Sequence, residues 1–182
     1  MRINYRLTSQ GLTEDLNQHE INEYDDLYSF VNNNWESLQY LDCHGCNLQQ
    51  LPELPQTLVY LFCHKNQLQS LPVLPSNLLT LYCYGNNLGQ LPDLPPLLTK
   101  LYCYDCQLNS LPQLPSNLEY LVCSQNNLSV LPSLPSSLLL LNCCYNHIVD
   151  LPTMELRYIK TKYLSFQTPC PEIRYYLPEI VI

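Results

Sequence analysis

The chain has 182 residues, 16 of them acidic and 8 basic, giving a formal net charge of −8. With so few cations to neutralise phosphates, nucleic-acid binding is disfavoured, and the length suits one domain with a modest core. No stretch approaches the roughly twenty apolar residues that a membrane-spanning helix needs, and the N-terminal MRINYRLTSQGLTEDL lacks the apolar run of a secretory signal, so the expectation is a soluble protein working in a cytoplasm.

The first 37 residues differ in texture from the rest of the chain. Over 12–33, Ile21, Tyr24, Leu27, Tyr28 and Val31 fall at helical spacing. Thr13 is placed to cap a first turn carrying Glu14 and Asp15, whose charges suit a helix N-terminus.

From Leu38 the chain repeats without insertion every twenty residues. The frame is LxxLxCxxNxLxxLPxLPxx, and its first leucine falls at Leu38, Leu58, Leu78, Leu98, Leu118 and Leu138. A fixed period of this length marks a stacked repeat, in which each unit buries its apolar face against the next. Six of the ten cysteines, Cys43, Cys63, Cys83, Cys103, Cys123 and Cys143, share one position of the frame. One slot means one direction, so these thiols are expected to form a reduced ladder of small buried hydrophobes rather than a disulfide framework. A second slot holds Cys46, Asn66, Asn86, Cys106, Asn126 and Asn146. An asparagine amide there is suited to bond backbone groups of neighbouring coils that would otherwise be buried unpaired. Cysteine fills the slot as a small, weak donor.

Each repeat supplies one short strand around xxLxC. Side chains alternate along a strand, so the second leucine and the cysteine point inward while their neighbours point out. The outward rows are Tyr40, Tyr60, Thr80, Lys100, Tyr120 and Leu140; Asp42, Phe62, Tyr82, Tyr102, Val122 and Asn142; and His44, His64, Tyr84, Tyr104, Ser124 and Cys144. With coils roughly 4.8 Å apart, Tyr60, Phe62, Tyr82, Tyr84, Tyr102 and Tyr104 should merge into one aromatic patch. Stacking of such ladders stabilises the sheet, but an aromatic patch facing solvent also suits an interface. The LPxLP segment that crosses the opposite side cannot be helical, because proline fixes φ and lacks a donor.

This pattern resembles the leucine-rich repeat, LxxLxLxxN/CxL. The LPxLP tail and the period of twenty are similar to the short repeats of bacterial effectors of the YopM and IpaH type. The resemblance implies a leucine-rich-repeat solenoid with a parallel β-sheet on its concave face, an extended or polyproline convex side and an α-helical N-terminal cap. Residues 1–37 are then that cap, 38–155 six repeats, and 156–182 a degenerate last coil, with Leu156, Arg157, Tyr158 and Ile159 in its strand, followed by a closing segment. Trp35 is expected to seal the first coil. Cysteine in the strand departs from the usual aliphatic residue, and fewer than thirty residues follow the repeats, too few for the ubiquitin-ligase domain of the IpaH type.

Motifs with catalytic or metal-binding character dissolve into the repeat. Cys43 with Cys46 and Cys103 with Cys106 read as CxxC pairs, yet three coils, roughly 14 Å, separate them, far beyond the roughly 2.3 Å zinc–thiolate bond. His44 and His64 share an outward slot but make only two ligands. Cys103 and Asp105 give the Cys-x-Asp form of the ligase nucleophile, with the sulfur directed into the core. Cys144 is the one repeat cysteine that alternation turns outward, with no base beside it to activate it. No nucleophile with a positioned base, phosphate loop or carboxylate pair is present, so neither enzyme activity, metal nor cofactor is expected.

The resulting expectation is a protein-interaction module. By resemblance it is a microbial effector binding a host protein or peptide on its concave face, through Tyr60, Phe62, Tyr82, Tyr84, Lys100, Tyr102, Tyr104 and Tyr120, after delivery into the host cytosol. The alternatives are a scaffold with no host role and the substrate-recognition part of a ubiquitin-ligase-type system.

Overall fold

A computed structural model describes residues 2–7, 17–20, 24–149 and 164–165. Six strands recur at the repeat period: β3 (Leu38–Asp42), β4 (Tyr60–Phe62), β5 (Thr80–Tyr82), β6 (Lys100–Tyr102), β7 (Tyr120–Val122) and β8 (Leu140–Asn142). They pair in parallel, each residue opposite the one twenty later, as in Tyr82 with Tyr102. Although each strand ends before its cysteine, the ladder runs one step further: the Cys83 N–H donates to the Tyr102 carbonyl at 2.9 Å, and its counterparts do likewise.

The core is the stack of inward positions. Most frame leucines and all six ladder cysteines are buried in one continuous cluster, with Leu94 and Leu134 partly buried against it, and Cys43, Cys63, Cys83, Cys103 and Cys123 have no exposure. The LPxLP segments run extended, and each ends in a turn closed by a leucine N–H to a proline carbonyl, such as Leu78 to Pro75 at 3.1 Å. The solenoid with its sheet on one side and an extended opposite side is as the repeat implies. Trp35 packs against the first coil as expected, and Thr57 Oγ1 donates to its carbonyl at 3.1 Å.

The N-terminal end is richer than a helix. Strand β1 (Arg2–Leu7) pairs antiparallel with both β3 and β2 (Asn17–Glu20), before the helix α1 (Tyr24–Asn33). Ile3, Tyr5 and Leu7 alternate onto the core cluster, which covers the otherwise open edge of the first repeat strand. In α1 the inward stripe is Leu27, Phe30 and Val31. Tyr28, expected on that stripe, is 50% exposed. Phe30 takes the inward role because its ring meets Tyr5 edge-on at 4.7 Å and stacks on His19 at 4.9 Å. The expected cap Thr13 lies outside the described residues.

At the other end β9 (Leu164–Ser165) pairs with β8, completing a nine-stranded sheet in the order β2-β1-β3-β4-β5-β6-β7-β8-β9. The last coil expected at Leu156–Ile159 and the closing segment lie outside the described residues. Among the described residues no helix is long and apolar enough to cross a membrane.

Candidate protein-interaction surface

What the strands position on the outer face of the sheet is a connected set of rings. Parallel in-register pairing brings equivalent side chains onto adjacent coils, within reach of one another. Tyr40 meets Tyr60 at 6.1 Å and Phe62 at 5.1 Å, and Phe62 meets Tyr82 edge-on at 4.8 Å. Tyr82 lies 4.2 Å from Tyr102. A second ladder runs beside the first: His44 stacks on His64 at 4.6 Å, His64 on Tyr84 at 4.3 Å, and Tyr84 on Tyr104 at 4.2 Å. Tyr82 and Tyr84, 6.4 Å apart, join the two. Lys100 adds a cation at the far side, with Nζ 5.5 Å from the Tyr120 ring centroid, a favourable cation–π distance.

All eight expected residues therefore lie on this face, but they are not equally available. Tyr60 is 37% exposed, while Phe62 is only 7% exposed beneath Tyr40 and Tyr82. Tyr82, Tyr84, Lys100, Tyr102, Tyr104 and Tyr120 are half-buried. Toward β8 the face closes: Val122, Ser124 and Asn142 are buried, and so is Cys144 at 1%. This corrects the expectation that Cys144 is an outward, accessible thiol. Alternation sets its direction, but that end of the face is covered and Cys144 is disulfide-bonded. The open part of the sheet is its middle.

Burial and crowding tune the chemistry. The phenol of Tyr40 is pushed up to about 12, first by burial and then by the Asp42 charge, with Arg6 opposing. Burial, followed by the neighbouring Tyr102, raises Tyr82, and burial also raises Tyr102. These rings are uncharged hydroxyl-bearing surfaces at neutral pH. His64 is pulled down to about 4, chiefly by burial and then by His44, so it too is neutral. The ladder thiols are all raised: Cys43, Cys63, Cys103 and Cys123 chiefly by burial, and Cys83 first by its hydrogen bond with Cys106 and then by burial. A thiol that resists ionisation is a poor nucleophile, which fits a packing role. Among the described residues no group of three or more potential metal ligands converges.

Four residues of this face, Tyr40, His44, His64 and Arg6, escaped the sequence reading of the site. Tyr40, His44 and His64 sit in the outward rows, and their ring contacts make them part of the surface. Arg6 was not placed at all. Its signal was the alternation of Ile3, Tyr5 and Leu7 in RINYRL, which makes residues 2–7 a strand and turns Asn4 and Arg6 to the outer face. The bond from Asn4 Nδ2 to Asp42 Oδ2, 3.2 Å, fixes that side.

The sequence pattern of the Leucine Rich Repeat family matches residues 37–58. Among solved structures the chain is similar to a Shigella effector LRR domain, at 35% identity and TM-score 0.65, over 75% of this chain and 63% of that one. It is also similar to YopM from Yersinia enterocolitica WA-314, at 36% identity and TM-score 0.52, over 64% of this chain and 31% of that one. A YopM from Yersinia pestis, described as a leucine-rich effector protein, aligns at 27% identity and TM-score 0.51, over 77% of this chain and 52% of that one. The chain thus spans less than two thirds of each of these proteins. Comparison with curated proteins found no match. The chain folds as a leucine-rich-repeat solenoid, similar in its repeats to these Shigella and Yersinia effector structures.

Proposed function

We propose that the middle of the concave sheet is a docking surface for an extended segment of a partner protein, and that the chain is the recognition part of a microbial effector acting in a host cytosol. One observation carries this reading. The rings from Tyr40 to Tyr104 form a single contacting network on the sheet face, and among the described residues Tyr60, Tyr82, Tyr84, Tyr102 and Tyr104 of that network are partly open to solvent. Stiff, amphipathic rings with un-ionised hydroxyls give contact area and hydrogen bonding at little entropic loss. The similarity to effector leucine-rich-repeat domains supports the effector role. The reading is of a non-enzymatic binding module.

The test is a double substitution, Tyr82→Ala with Tyr102→Ala, measured against a partner captured from host lysate and then purified. Central interface aromatics are each worth on the order of 2 kcal/mol when truncated, so affinity should fall by about tenfold or more while the fold persists. Unchanged affinity would move the site off this face, to the groove of about 710 Å³ along the LPxLP segments lined by Leu94, Pro96, Leu114, Pro115 and Leu134.

A further inference from the structure

Arg6 is only 8% exposed, and two of its nitrogens, Nε and Nη2, are shielded from solvent with no hydrogen-bond partner. An unpaired buried cation is unfavourable and is rarely kept without a use. The two nitrogens belong to one edge of the guanidinium. That edge presents two parallel N–H groups, the geometry that receives both oxygens of a carboxylate or a phosphate.

Asp42, the acidic residue that the neighbouring strand places on this face, does not fill this role. Strand register places Arg6 opposite Tyr40 and Asn4 opposite Asp42. The Asp42 carboxylate is already engaged: Oδ2 accepts from Asn4 Nδ2 at 3.2 Å, and Oδ1 accepts from His44 Nδ1 at 2.6 Å and from the His44 backbone N–H at 3.2 Å. At the same end of the face His64 Nδ1 is also buried without a partner, so the polar groups left unanswered cluster where the ring ladders begin.

We propose that Arg6 is the anion anchor of the concave face. Its Nε–Nη2 edge receives the paired oxygens of a carboxylate or phosphate group carried by an extended protein segment that lies along the rings. The inference rests on the docking surface proposed above and names the chemistry of its ligand. A protein segment is favoured over a membrane or nucleic acid because the chain carries a net charge of −8 and offers a single buried fork beside a row of aromatic rings. Because the two nitrogens are covered, the guanidinium must turn to meet the anion, and no hydrogen bond from that edge holds it back.

The full chain, labelled with nitrogen-15 at arginine, is titrated with phenyl phosphate, inorganic phosphate and acetate while the Arg6 Nε–H resonance is followed by NMR. A saturable shift is expected, with a dissociation constant on the order of millimolar, and it should vanish in Arg6→Lys, which keeps the charge but not the fork. Saturation by the phosphates alone identifies a phosphorylated segment, and saturation by acetate identifies an acidic one. In anion-free buffer Arg6→Met should melt at a higher temperature than wild type, because it removes an unpaired cation; an arginine with a structural role would make it melt lower. No saturable shift with any anion, an equal shift in Arg6→Lys, or Arg6-dependent binding to phosphatidylserine vesicles in place of the soluble anions would overturn the proposal. None of these measurements needs the partner. A silent Arg6 with intact dependence on Tyr82 and Tyr102 would remove the anchor alone, whereas loss of that dependence with Arg6 still binding anions would remove the docking surface.

Discussion

Beside the backbone ladder, the asparagine slot bonds buried backbone groups of neighbouring coils. Asn126 Oδ1 accepts from the N–H groups of Cys106 and Leu108, at 3.1 and 2.9 Å, and its Nδ2 donates to the carbonyls of Cys103 and Cys123, both at 3.0 Å. A single amide therefore satisfies four buried backbone groups on two coils. Replacing it by alanine leaves the Cys106 and Leu108 N–H groups and the Cys103 carbonyl unanswered, while the Cys123 carbonyl keeps its bond from Asn146 Nδ2 at 3.0 Å; at about 1–3 kcal/mol for each unanswered group the loss should reach about 3 kcal/mol or more. Where cysteine occupies the slot, half of this function is missing. The N–H groups of Leu48, Leu68, Leu108 and Leu128 each donate to the asparagine of the next coil, but Cys106 has only a sulfur to offer Leu88. Its Sγ donates to the Cys83 carbonyl at 3.2 Å, as the amide would. The backbone adjusts instead. Gly89 takes a φ of 66°, and its N–H donates to the Cys106 carbonyl at 3.1 Å. The residues after the two cysteine slots, Asn47 and Gln107, also have positive φ, at 53° and 58°. Cys46 needs no acceptor on that side, because no repeat precedes it. Cys106→Asn should therefore raise stability by about 1 kcal/mol in denaturant unfolding, with Asn126→Ala as the opposite control. An unchanged midpoint would mean that the Gly89 turn already replaces the missing bond.

At the scale of elements the N-terminal hairpin and helix form one lid. Antiparallel pairing of β1 with β3 answers the hydrogen bonds of the first repeat strand, from Asn4 opposite Asp42 to Leu7 opposite Leu38. Ile3, Leu27 and Val31 cover the apolar end of the first coil. A solenoid holds together through neighbour interfaces, so an uncapped end is unstable. Deleting residues 1–34 should abolish cooperative unfolding in a circular-dichroism melt and expose surface that binds a hydrophobic dye. A truncated chain that stays monomeric and melts as sharply as wild type would show the lid to be an appendage. What the sequence disclosed at this scale comes from repetition. Each repeat position is stated six times, so Leu81 and Cys83 could be turned inward and Tyr82 outward without ambiguity. The lid is stated once. Its strand alternates over only six residues, and β2, NQHE, carries no apolar signal at all, so only the helix stood out. Depth was also beyond reach. Alternation gives the direction of Phe62 and Cys144 but not what lies over them, and large neighbouring rings bury Phe62 on the outer face.

For the molecule as a whole, the period of twenty makes stability and recognition separable by length. Every coil contacts its neighbours through the same leucine, cysteine and asparagine positions, so one coil can stand in for another. Excising residues 79–98 joins Leu78 to Thr99 and leaves the frame in register. The Asn66 slot of one coil then meets Cys106 of the next, the pairing of an asparagine coil with a cysteine coil that Asn86 and Cys106 already make. The shortened chain should fold cooperatively with a smaller denaturant dependence, since that slope scales with the surface exposed on unfolding. Excising one residue fewer from the same place, 79–97, should not fold, because a slip of one residue sets an inward leucine against an outward residue. The deletion of 79–98 also removes Tyr82 and Tyr84 and brings Phe62 beside Tyr102 and His64 beside Tyr104. The ladders close again, but the junction that joins them is gone. If the partner reads the central rings, the folded deletion should lose binding by at least as much as the double alanine variant. Measuring its anion titration at Arg6 in parallel keeps the N-terminal end of the face as an internal control, since no residue of β1 or β3 is altered. A folded deletion that retains full affinity for the partner would show that neither the fifth strand nor its tyrosines belong to the recognition surface.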